Sequence, residues 1–169
     1  MRITNTHIYF WGSFLSNWIP NDLSIHYDNQ VFTNSEQLFM YFKAKFFNDD
    51  EKAREIVQFG SNPKIAKKLG REIKGYDEES WSKEREEAMY KAVFLKFSSD
   101  KKLSQQLIKT ENKILVEGTP VDLIWGVGIK WDDNRILDEK NWKGNNLLGK
   151  VLMRVRKDLQ YGNLVVIER

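Results

Sequence analysis

The segment Val31–Phe47, VFTNSEQLFMYFKAKFF, constrains the fold of this chain more than any other. Its apolar residues are too dense for a helix with one broad wet face, so it is expected to be the core helix. Two charged residues are set into it, Glu36 and Lys43, seven positions apart. At about 100° per residue they share one face, roughly 10.5 Å apart along the axis. A direct Glu–Lys pair prefers spacings of three or four. These two are better placed to flank something than to neutralise each other. A plainer account competes. Thr33 and Glu36 fit the capping-box spacing T-x-x-E, and Lys43 can lay its methylenes on Phe39 with its amine in water. On the helix alone the capping account is the commoner one, and both stay open.

Composition narrows the chemistry. A length of 169 residues suits one domain, 1–169, long enough to bury a sizeable core. Hydrophobic residues at 41% and charged residues at 30% fit a soluble globular protein. There is no cysteine, which removes disulfides, thiolate nucleophiles and cysteine-ligated metals. His7 and His26 show no metal-ligand spacing, and no cofactor is expected. No basic segment leads into an apolar run at the start, so no signal peptide is expected. No apolar stretch is long enough to span a bilayer. A cytoplasmic location and no membrane partner follow as expectations. The net charge of +3 is small for a domain that holds nucleic acid by overall charge.

Helical patterns dominate the rest. LSIHYDNQVF suggests a hairpin around Tyr-Asp-Asn. NDDEKAREIVQFG suggests a helix stopped by Gly60. SNPKIAKKLGREIKG suggests a helix capped by Asn62, with Pro63 in its first turn and Gly70 as its stop. SWSKEREEAMYKAVFLKF is a long helix, DKKLSQQLIKT a short one, and NLLGKVLMRVRKDLQ the last. HIYFWGSFLSNWIP resembles a strand running into a turn closed by Pro20, and strands are expected at KILVEG and in the tail NLVVIER. DLIWGVG is an aromatic-glycine loop, and KWDDNRILDEKNWKGNN a polar loop. Strands do not alternate regularly with helices, so a doubly wound parallel sheet is not expected. The class is α+β, mainly helical, with a small antiparallel sheet.

A second acidic region, LVEGTPVDLIWGVG, carries Glu117 at the end of an apolar run and Asp122 just before Trp125-Gly126. Charges in such surroundings are costly unless paired or hydrogen-bonded. Turn chemistry by Asp122 is one reading, a carboxylate beside an aromatic wall the other. GNNLLG opens a helix whose N-terminus is either an ordinary Asn cap or an anion site. The run Lys64, Lys67, Lys68, Arg71, Lys74 fits a solvated helix face, with Arg71 the exception to watch.

In order, the pieces FLSNWIP, F-TNSEQLFMYFKA, NP-IAKKLGR, LVEGTPVDLIWGVG and GNNLLGKVLMRVR resemble the NADAR family, also called YbiA-like, over Tyr9 to Leu159. The resemblance implies a compact, mainly helical α+β domain with N-glycosidase activity and no metal. It implies cleavage of the C–N bond between ribose and a guanine-like or pyrimidine base. The implied substrate is either a nucleotide-like small molecule, such as a ribosylamino-pyrimidine phosphate of riboflavin synthesis, or ADP-ribosylated nucleic acid. Carried over residue by residue, it implies catalytic roles for Glu36, Lys43, Asp122 and Glu117. It implies substrate binding by Trp81, Trp125, Gly126, Asn17, Arg71, Asn146 and Gly149. For Trp125, core packing is an equal reading. SEQLFMYFKA departs from the SEHYFQA-K form of the bacterial members, and the loop Lys130–Asn141 is longer. The runner-up is a silent ADP-ribose or nucleotide-binding module; a third reading is an interaction domain whose aromatics only pack. Several carboxylates give a binder of anionic nucleotides no advantage, which favours catalysis.

Overall fold

A computed structural model describes residues Met1–Gly162. In chain order the elements are β1 (Arg2–Ile3), β2 (His7–Phe10), β3 (Ile25–Tyr27), β4 (Gln30–Phe32), α1 (Ser35–Phe46), α2 (Asp50–Phe59), α3 (Pro63–Arg71), α4 (Glu78–Ser98), α5 (Lys101–Ile108), β5 (Ile114–Glu117) and α6 (Leu147–Tyr161). The strand expected over the tail NLVVIER lies outside the described residues. The chain is mainly helical with two small sheets, the α+β class its sequence suggests. Its described residues group into two compact units: Asn17–Lys101, and Met1–Ser16 with residues 102–162. Among the described residues no helix is long and apolar enough to cross a membrane.

In the unit Asn17–Lys101, β3 and β4 pair antiparallel through a turn whose Asp28 and Asn29 have φ of 51° and 56°. Left-handed φ at both central positions matches the right-handed twist of the flanking strands. α1 then packs against α2, α3 and α4. Every residue from Ser35 to Tyr41 is buried, as is Ala44. That is why the segment is apolar nearly all round. α4 buries Trp81, Ala88, Met89, Val93 and Phe97. It also buries Lys96, whose ammonium burial alone draws down to about 7.

Two local expectations are corrected here. The cap of α1 is Asn34, not Thr33: Asn34 Oδ1 accepts the N–H of Gln37 at 2.9 Å, and Gln37 Oε1 accepts the N–H of Thr33 at 3.0 Å. The side-chain bonds at the helix start are therefore made by Asn34 and Gln37, with the Thr33 N–H going to Gln37 rather than to Glu36. Gly70 does not stop α3, which runs to Arg71 with Glu72 as its cap. The glycine permits close approach instead, since a Cβ there would lie 2.0 Å from Met40 Sδ of α1.

In the other unit, β1 and β2 pair antiparallel, while β2 and β5 pair parallel in the register His7↔Ile114 to Phe10↔Glu117. The expectation of a wholly antiparallel sheet therefore fails at one pairing. Parallel strands need a long connection, and the whole stretch from Phe10 to Ile114 supplies it. Leu115 and Val116 are fully buried. Tyr9, Val116, Val127, Ile129 and Ile136 form a core, with Trp131 and Trp142 packed on it. The polar loop is thus ordered. Asp133 and Asp138 cap two short 3-10 turns, Asn134–Leu137 and Glu139–Asn141, and Trp142 Nε1 donates to the carbonyl of buried Ile136 at 2.8 Å.

Candidate active site

Glu36 occupies the first turn of α1 and is 6% exposed. The capping work around it is done by other groups. Asn34 serves Gln37, and the carbonyl of Asn17 accepts the N–H of Glu36 at 3.2 Å. The positive end of the helix dipole complements a carboxylate at this position. Asn17 is itself buried: its Oδ1 accepts from Ser35 Oγ at 3.1 Å, and its Nδ2 meets Met89 Sδ at 2.9 Å. Asn17 therefore fixes the turn that carries Glu36.

Two turns along, Lys43 is half-buried. Its Nζ donates to the carbonyl of Gly70 at 2.8 Å and stands 4.1 Å from the centre of the Tyr76 ring. The close approach at Met40 and Gly70 is what brings that carbonyl within reach. Burial lowers the Lys43 ammonium from its usual range. Glu78 opposes the shift, and Arg85 and Arg71 reinforce it. Glu78 in turn accepts from both Tyr76 and Arg85. The result is an amine held among Tyr76, Glu78, Arg85 and Arg71 at the edge of a buried helix.

Trp81 is 5% exposed, with Phe39, Phe46 and Phe47 at centroid distances of 5.5, 5.7 and 6.1 Å. It backs an aromatic surface on which Phe46 and Tyr76 are open to solvent. Arg71 is exposed at the end of α3. In this unit the structure gathers Glu36, Asn17, Lys43, Trp81 and Arg71 along or beside α1. Two hollows elsewhere on the unit, about 490 Å³ around Tyr41, Lys45 and Arg54 and about 520 Å³ around His26 and Leu95, include neither Glu36 nor Lys43.

The remaining predicted residues belong to the other unit. Asp122 Oδ1 accepts the N–H groups of Ile124 and Trp125 at 3.0 and 2.9 Å, so its turn chemistry is observed. Glu117 ends β5 half-buried, and its carbonyl accepts the N–H of Val127 at 3.1 Å. Gly126 lets the loop close on the strand, for a Cβ there would lie 2.4 Å from Thr119 Cγ2 and 2.9 Å from the Glu117 carbonyl. Trp125 is partly buried, and its carbonyl accepts the N–H of Leu148. Asn146 precedes α6 with left-handed φ and makes no side-chain cap. Its amide clasps β5 instead, accepting from Glu117 N–H at 3.0 Å and donating to Leu115 O at 2.9 Å. Gly149 packs directly on the same carbonyl, 2.0 Å from where a Cβ would sit. Among the described residues no cluster of three or more His, Asp or Glu is placed to hold a metal ion.

Sequence reasoning passed over Tyr76, Glu78 and Arg85. Arg85 does fall on the periodic face of the long helix, and that was the one signal available.

The family model described as NADAR domain matches residues 9–160. Protein irg-1 of Caenorhabditis elegans is 42% identical over 130 residues, which are 76% of this chain and 61% of that protein. The chain thus spans less than two thirds of that relative. An N-glycosidase of Acanthamoeba polyphaga mimivirus is 32% identical over 168 residues, covering 93% of this chain and 98% of its own. The NMR structure of the E. coli protein YbiA superimposes with a TM-score of 0.74 at 28% identity, covering 99% of this chain and 93% of that one.

Proposed function

This chain belongs to the NADAR family, and we propose that it is an N-glycosidase that releases a guanine-like or pyrimidine base from a ribosyl compound. The observation that carries the reading is the pairing on α1. Glu36 is buried while Gln37, not Glu36, accepts the Thr33 N–H, and Lys43 lies on the same face with its ammonium lowered by burial. Burying a carboxylate and an amine on one helix face carries a desolvation cost that apolar residues at those positions would avoid. The mimivirus relative named N-glycosidase, matched along nearly its whole length, supports the same reading.

The chemistry follows from the bond that breaks. As the C–N bond lengthens, positive charge grows on the anomeric carbon and the bonding electrons pass to the base nitrogen, which takes up a proton. A fixed carboxylate near that carbon stabilises the growing charge, and Glu36 is assigned this part. Lys43 offers a covalent route. Its neutral amine attacks the anomeric carbon as the base departs, the sugar opens to a Schiff base, and water then releases it. Burial favours the neutral amine this route requires. Phe46, packed on Trp81, and Tyr76, packed on Phe47, offer flat surface to the base. Glu117 and Asp122 are proposed participants, each to be tested by its amide variant.

The test has two arms. The protein is incubated with ADP-ribosylated guanine DNA and, separately, with ribosylamino-pyrimidine phosphates, and free base is measured. Release from one names the substrate class. Glu36→Gln is expected to bind that substrate and lose at least about 100-fold in rate, the scale of a lost charge stabiliser. Binding of either compound with no release would instead favour the silent nucleotide-binding module.

A further inference from the structure

We infer that the solvent face of α3 is a docking surface for the phosphate backbone of single-stranded nucleic acid. α3 holds Lys64, Lys67, Lys68 and Arg71 and no carboxylate. On a helix these four fall within about 100° of arc and span roughly 10 Å of axis. The opposite side carries the buried Ala66 and Gly70, so the cations point away from the core of their unit. The helix thus carries four of the 27 Lys and Arg of the chain and none of its 24 Asp and Glu.

Two further observations separate this face from an ordinary solvated one. Several nearby surface cations are paired: Lys45 with Asp50, Lys52 with Glu55 and Glu72, Lys74 with Glu51, and Lys83 with Glu79. The side chains of Lys64, Lys68 and Arg71 make no ion pair among the described residues. Beside them, Trp18 is 37% exposed, with the Lys67 ammonium 5.9 Å from its ring centre. Cations interleaved with open aromatic surface are how proteins track a single strand. The stripe also leads somewhere. Arg71 adjoins Gly70, whose carbonyl holds the Lys43 amine, so a backbone held along α3 passes the amine of the candidate site.

This deepens the nucleic-acid arm of the proposed function and rests on that arm for its consequence. Docking itself is read without turnover, so the two fail separately. A fluorescein-labelled 20-nucleotide single-stranded DNA is titrated by anisotropy across a salt series. Binding that weakens with salt is expected. The variant Lys64→Glu/Lys68→Glu should flatten the slope of log K against log salt by about 1.4 or more, since each phosphate contact contributes about 0.7 on a single strand. A control of equal charge change, Lys140→Glu/Lys157→Glu, should keep most of the slope. Absence of binding at low salt overturns the inference, and so does an equal loss in the control. Circular dichroism shows whether both variants are folded, and base release from the small-molecule substrate should be the same in both.

Discussion

At Lys43, competing influences decide when the amine is free. Burial is the largest and lowers its pKa; Glu78 raises it, and Arg85 and Arg71 lower it again. Only the neutral amine attacks, so trapping of the sugar by borohydride should rise with pH and reach half its maximum below 10.5, the ordinary lysine value. Removing the one opposing charge, in Glu78→Gln, should move that midpoint further down. An adduct mapped to Lys43 by mass spectrometry supports the covalent route. No adduct, or a midpoint that rises in Glu78→Gln, argues against it. The helix period was enough to find Glu36 and Lys43 together, because one helix fixes their spacing. Tyr76, Glu78 and Arg85 were invisible because their approach to Lys43 depends on how α1, α3 and α4 pack. Local pattern carries no record of that. The role of Asn17 at the α1 terminus was hidden for the same reason.

Element boundaries were legible where capping residues mark them. Asn62 caps α3 as its sequence suggests, and Asp77 caps α4 slightly ahead of the expected start. The miss at Thr33 arose because TNSEQ contains two overlapping boxes, and only packing selects Asn34 with Gln37. Glycine is more ambiguous still, since a helix stop and a close approach use the same residue. Gly70 and Gly149 are both close approaches, but they differ in what stands opposite. At Gly70 the obstacle is the thioether of Met40, a flexible side chain, whereas at Gly149 it is the backbone carbonyl of Leu115 at 2.0 Å, with both polar atoms of Asn146 at 2.6 Å. Replacing glycine by alanine inside a helix gains up to about 1 kcal/mol of propensity. Overpacking costs about 1–3 kcal/mol, and loss of the Asn146 clasp adds to it. Gly149→Ala should therefore lose about 2 kcal/mol on balance, lowering Tm by roughly 4–8 °C. Gly70→Ala should lose clearly less. Urea titration with an unchanged m-value checks both; equal losses would mean that α6 can shift off β5 at little cost.

For the whole molecule, the sequence conveyed class but not connectivity. HIYFWGSFLSNWIP and KILVEG each read as holding a strand, yet nothing local says that the two pair, or that they do so parallel. The pairing is set by the path between them, and that path is the entire unit Asn17–Lys101. This has a consequence for folding. The sheet β1-β2-β5 can form only if the chain ends at Ser16 and Lys102 are brought close, and closing a long flexible loop costs entropy that grows with its length. A folded insert supplies that closure in advance, whereas an unfolded one leaves the β2–β5 pairing to meet the full cost. Unfolding of the insert should therefore take the sheet with it. We predict one calorimetric transition for the chain of 169 residues, with an enthalpy of roughly 120 kcal/mol near 60 °C equal to its van't Hoff value. Gly149→Ala should move that single peak down as a whole, although its residue lies in only one unit. Two resolved peaks, with only one displaced by the substitution, would show that residues 1–169 are not one cooperative domain.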